Sequence, residues 1–199
     1  MWPTGEIVAE AARGTMMGNR GGCFHDAEQK LTARRWTSRR WICCRLEFKG
    51  WYRPVMQPRR YTELFFLDEA TALAVGHRPC AMCRHEDYVG FAGAWARANG
   101  LAAAPSADAM DRLLHEERVE SRTKEQKRRP TVLAELPVGS AVQVGKDVVV
   151  RAGTGWRLWN SGGYRSAEVP AHGLLFTPPS IVAVLRAGYR PQFHPSADG

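Results

Sequence analysis

Residues 76–84 read GHRPCAMCR, and no other stretch of the chain restricts its fold as strongly. Cys80 and Cys83, two residues apart on a tight turn, bring two thiolates to one tetrahedral ion, and Zn²⁺ so bound needs two further ligands. A segment distant in sequence must therefore return to this turn. The flanks read as helices. Asp68 can N-cap a short helix over Glu69 to Val75, Gly76 is its C′ residue and Pro79 prevents continuation. After the turn, Tyr88, Phe91, Ala92 and Trp95 recur at helical spacing up to Gly100, which predicts an amphipathic helix over Arg84 to Asn99.

The chain has five cysteines, at 23, 43, 44, 80 and 83. An odd number, grouped as one C-x-x-C, one vicinal pair and one single residue, argues for metal binding ahead of a disulfide framework. The start MWPTGEIVAEAARG has no charged block followed by an apolar one, and no apolar run approaches the roughly 20 residues of a membrane span. The expectation is a cytoplasmic chain without a membrane partner.

Charge is unevenly placed. Residues 1–60 hold 12 Lys or Arg against 5 Asp or Glu, while residues 61–199 hold 16 against 15. A positive field focused in the first third suits a polyanion better than a small neutral substrate. Its densest part is ARRWTSRRW. There Arg34, Arg35, Arg39 and Arg40 offer phosphate-binding forks, and Trp36 and Trp41 offer flat faces for base stacking. Lys49 and Arg53 continue the field, so nucleic acid, DNA above RNA, is the expected partner.

Strands are expected near 22–25, 31–36, 40–48 and 61–67, and Ser106 should cap a further helix. From Thr131 the texture changes to short apolar runs split by PVG, GKD, AGTG and NSGGY, as in a small antiparallel meander or partial barrel, closed by a helix over Ser180 to Ala187. The expected fold class is α+β, with a zinc-stapled unit of hairpins and helices over 1–130 and a β-rich lobe over 131–199. Helix-Gly-aromatic-Arg-Pro occurs twice, at 72–79 and 184–191, and reads as a reused helix C-cap.

The stretch YTELFFLDEATALAVGHRPCAMCR, residues 61–84, resembles the second half of the Ada-type metal-binding domain, a family named for a DNA methylphosphotriester-repair protein. The resemblance implies that Cys80 and Cys83 supply two of four zinc ligands, and it implies a repair or processing context. Only about a tenth of the chain is covered. The family's first ligand pair is C-x3-C or H-x3-C, whereas this chain has adjacent Cys43 and Cys44, so methyl transfer to Cys43 does not simply carry over. Neighbours on a strand face opposite ways. The expected ligands are therefore Cys44, Cys80 and Cys83, with Cys43 or His25 as the fourth.

Two catalytic readings remain as alternatives: a methyl acceptor using Cys43, and a metal-dependent nuclease. Glu47 and Lys49, as E-x-K on a strand, would share one face, and Asp26 would complete an Mg²⁺ site of a nuclease. His25 and Asp26 could also act as base and orienter. GNRGG at 18–22 lacks the context of a phosphate loop, so no nucleotide cofactor is expected. A zinc-stabilised protein-interaction module is the remaining alternative.

Overall fold

A computed structural model describes residues 1–50 and 54–199. The fold is α+β, with four helices and two sheets among the described residues. In the first sheet β1 (Met16–Asn19) lies between β2 (Ile42–Arg45) and β3 (Leu64–Phe66), antiparallel to both. The two-residue β4 (Arg78–Pro79) then adds parallel to β2, with Cys43 opposite Pro79. That pairing lays the C-x-x-C turn beside Cys44.

The central strand β1 was not among the expected strands. Its Gly18 and Asn19 look like a turn, yet a Cβ at Gly18 would lie 2.3 Å from the Ile42 carbonyl oxygen and 2.8 Å from the Phe66 ring, so the crowded centre of the sheet excludes a side chain there. The expected strands at 22–25 and 31–36 reduce to one bridge between His25 and Leu31. The Asp26 carboxylate instead turns the chain by accepting the N–H groups of Glu28 and Lys30 at 3.1 and 2.8 Å.

Helix α1 (Glu69–Ala74) is buried along its whole length. Its N-cap Asp68 accepts the Thr71 N–H at 2.8 Å, as the sequence foretold, but also the Tyr164 hydroxyl at 2.8 Å and the His194 N–H at 3.1 Å. One carboxylate thus ties the C-terminal segments to the start of α1. Gly76, with φ +77°, ends the helix, and a Cβ there would meet Arg118 at 2.6 Å. Gly188 does the same for α4 (Pro179–Arg186) at φ +101°, in keeping with a reused C-cap.

Helices α2 (His85–Ala98) and α3 (Ala107–Arg118) pack with α4 around Phe91, Trp95, Leu114 and Leu185. The second sheet is antiparallel and open. It is a meander of β6 (Ala141–Val144), β7 (Asp147–Ala152), β8 (Gly155–Asn160) and β9 (Gly163–Ser166). On the other side of β6 it is extended by β10 (His172–Leu175) and β5 (Arg129–Val132). Leu67, Ala70 and Ala74 share a core with Val148, Val150 and Phe176, so α1 is covered by both sheets.

Candidate metal centre

Cys44, Cys80 and Cys83 bring their Sγ atoms within 4.8 Å of one another, and no fourth His, Cys, Asp or Glu among the described residues joins them. The grouping follows from strand geometry. Cys43 and Cys44 are consecutive on β2, so their side chains leave on opposite faces: Cys44 toward the turn, Cys43 into the core with Phe24 and Phe66. The Cys80 N–H donates to the Cys43 carbonyl oxygen at 2.9 Å, which fixes the turn against the strand.

The turn is shaped for sulfur anions. Cys80 Sγ accepts the Met82 N–H at 3.4 Å, and the Cys83 and Arg45 backbone amides favour the anionic forms of Cys80 and Cys83. Backbone donors stabilise a thiolate and leave a thiol little changed. The neighbouring Cys44 thiol first, then that of Cys83, holds Cys80 well below the ordinary thiol range, with the backbone donors adding to it, while Cys44, as the donor, is pushed up. The three sulfurs lie close enough to titrate as one unit, and a divalent soft-ligand metal would hold all three as thiolates.

Behind the turn stands Arg84, whose side chain is fully buried. Its Nε donates to Asp87 at 2.8 Å, and Nη1 donates to Cys43 Sγ at 3.4 Å. Nη2 touches Glu69 Oε2 at 2.7 Å, an ion pair whose direction is off that of a hydrogen bond. Glu69 also accepts the Tyr189 hydroxyl at 2.5 Å and the Gln192 N–H at 2.9 Å. The residue after the last cysteine is thereby anchored to α1 and to the C-terminal segment.

Cys43 is not part of the sulfur group. Its thiol is buried in the core, and burial first, then Glu69, pushes its pKa up, whereas a methyl acceptor requires a thiolate. His25 is not part of it either, because its Nδ1 meets the Thr62 hydroxyl at 2.7 Å and its Nε2 the Gln57 carbonyl at 3.3 Å. The E-x-K premise also changes: β2 ends at Arg45, Lys49 sits at φ +54°, and no strand places Glu47 and Lys49 on one face. Asp26 is engaged in its own turn.

Of the arginine segment, Arg34, Arg35, Arg39 and Arg40 are all exposed. Arg40 pairs with Asp108 at 3.3 Å, both side chains about two-thirds exposed, a contact that contributes little. Lys49 Nζ lies 5.4 Å from the Phe48 ring centre. Arg53 lies outside the described residues.

Trp41 corrects the stacking expectation. It is fully buried, with the Arg20 guanidinium 3.7 Å from its ring centre and that of Arg118 at 3.8 Å, so no base can reach it. Trp36 is half-buried against Trp41 and His115. The sequence gives little warning of these buried arginines, because an Arg is ordinarily a surface residue.

This cationic core makes a prediction about pH. Burial, then Arg118, Arg39 and Arg20, lowers the His115 pKa from 6.5 to about 4, and Arg118 Nη2 approaches His115 Nδ1 at 3.3 Å, where only a neutral ring accepts. Buried His77, packed on Trp41 and Phe66, is lowered in the same sense by burial and then by Arg20 and Arg118. Between the two pKa values the unfolded chain binds the proton that the folded chain refuses, so stability should fall as pH drops from 6.5 toward 4. Urea midpoints of wild type and His115→Gln should converge as the pH is lowered through this window. A constant difference between them would contradict the assignment.

Compared with known proteins, the chain matches no family model, no curated protein and no solved structure. Among the described residues, no helix is long and apolar enough to cross a membrane.

Proposed function

We propose that the chain is a zinc protein that binds nucleic acid, in a DNA repair or processing role. The observation that carries this reading is the continuity of two features: the exposed arginines at 34, 35, 39 and 40 run directly into β2, whose Cys44 is one thiol of the metal centre. Three thiolates suit Zn²⁺, and with three protein ligands the fourth position belongs to water or an incoming ligand. The resemblance of residues 61–84 to the Ada-type domain supports the repair context, and the Cys80–Cys83 turn is the part of it with a geometric counterpart here.

The arginine segment supplies phosphate contacts, and the metal turn supplies the rigidity that holds it, by way of β2. Sequence preference should be weak, because Trp41 is inaccessible and guanidinium-phosphate contacts carry no base information. Replacing the four arginines with Ser should weaken duplex binding and flatten its logarithmic salt dependence by about 0.9 per lost contact. Fluorescence anisotropy at two salt concentrations measures both. Equal affinity and equal slope in a folded quadruple variant would remove the nucleic-acid reading.

A further inference from the structure

Arg20 is a charge without a counter-ion. It is only 3% exposed, its Nε has no partner, and its Nη1 and Nη2 donate over long distances, to the Arg35 carbonyl oxygen at 3.4 Å and the Met1 sulfur at 3.9 Å. Among the described residues no carboxylate pairs with it. Buried guanidinium groups are ordinarily paired, since an uncompensated one costs several kcal/mol. Burial, and next the Arg35 charge, pushes its pKa down to about 9, a measure of how poorly the site satisfies the cation.

The same side chain lines a cleft of about 420 Å³, together with Arg35 and Lys124. The Trp41 ring backs the Arg20 guanidinium at 3.7 Å. Lys124 is held in the left-handed backbone region at φ +62°, with its Nζ 3.5 Å from the Ala33 carbonyl oxygen. Strain of this kind persists where surrounding structure imposes it, often at ligand sites. Glu6 and Glu125 also line the cleft, both exposed. The Glu6 carboxylate is engaged by the Thr4 hydroxyl at 2.9 Å. Two exposed, hydrated carboxylates oppose two exposed cations, which leaves the buried Arg20 charge as the excess.

We infer that this cleft is a phosphate-binding site, with Arg20 at its floor and Arg35 and Lys124 at its rim. A phosphate group offers three oxygens to three cations, and its charge replaces the counter-ion that Arg20 lacks. The cleft is larger than a phosphate and of the size that holds small ligands, so the group arrives on a larger molecule, either a small phosphomonoester or the phosphorylated end of an oligonucleotide. This site is independent of the exposed arginine face proposed above, apart from sharing Arg35.

Calorimetric titration of the full chain with inorganic phosphate, at constant ionic strength and against chloride, tests the assignment. Saturable binding is expected, weakened roughly tenfold or more in Arg35→Gln/Lys124→Gln, whose two positions are exposed and leave the fold intact. Arg20→Met should melt no lower than wild type in chloride, because it removes a buried unpaired charge, and should lose the stabilisation that phosphate gives. A 5′-phosphorylated oligonucleotide binding more tightly than its 5′-hydroxyl counterpart identifies the nucleic-acid source. Equal binding of the two oligonucleotides, with free phosphate still bound, identifies the small-molecule source. No phosphate binding by wild type, or binding unaltered in the double variant, overturns the site. Duplex DNA binding without phosphate binding overturns this inference alone. Phosphate binding without duplex binding overturns the proposed function alone.

Discussion

Glu69→Ala is expected to destabilise the protein by about 3–5 kcal/mol, because it leaves the buried Arg84 charge without its principal partner. Tyr189 and Gln192 lose the acceptor of their hydrogen bonds in the same substitution. On a chain of this size that corresponds to a melting temperature lower by roughly 6–20 °C. Urea unfolding measures it. Removing both members of the pair, as Glu69→Leu with Arg84→Met, should recover part of the loss, since the one charge left without its partner, Asp87, is partly exposed to water. A single-variant loss below about 1 kcal/mol would mean that water reaches Arg84 and that the pair is not the anchor of the cysteine turn.

Metal removal is expected to act on the same turn from the other side. A metal held at about a thousand times its dissociation constant stabilises by about 4 kcal/mol, so chelation should lower the melting temperature by roughly 8–16 °C. Cys80→Ser and Cys83→Ser should each reproduce the chelated state, and chelator should then have little further effect. Cys43→Ser and Cys23→Ser should keep the metal, because neither thiol belongs to the group of three. Loss of metal from Cys43→Ser at unchanged fold would place that thiol among the ligands.

The helices were legible because their signals are local. Asp68 and Ser106 cap the helices they were expected to cap, and Gly76 and Gly188 stop theirs at positive φ. The sulfur group was legible in part: alternation along a strand separates Cys43 from Cys44, but it does not say which of the two faces the turn, and Cys43 and His25, the expected fourth ligands, do not join the group. The central strand β1 was not, since its pairing with β2 and β3 depends on residues 23 to 50 positions away, and its Gly18 reflects crowding that only the assembled sheet reveals.

Charge was the least legible property. Arg20, Arg78, Arg84 and Arg118 belong to a basic sequence that reads as surface, yet all four are buried. Arg78 has an evident partner in Asp111, at 2.9 and 2.7 Å, and Arg84 has one in Glu69. Arg20 and Arg118 instead stack on the two faces of Trp41, and that arrangement withdraws both the tryptophan and part of the positive field from the nucleic-acid surface that composition suggests.

Native mass spectrometry of the folded chain tests the metal centre most directly. A mass increment of a single zinc ion is expected on the folded protein, lost on chelation, absent from Cys80→Ser and retained in Cys43→Ser. A folded wild-type chain that carries no metal, stays metal-free after incubation with zinc and melts at the same temperature with and without chelator would contradict it.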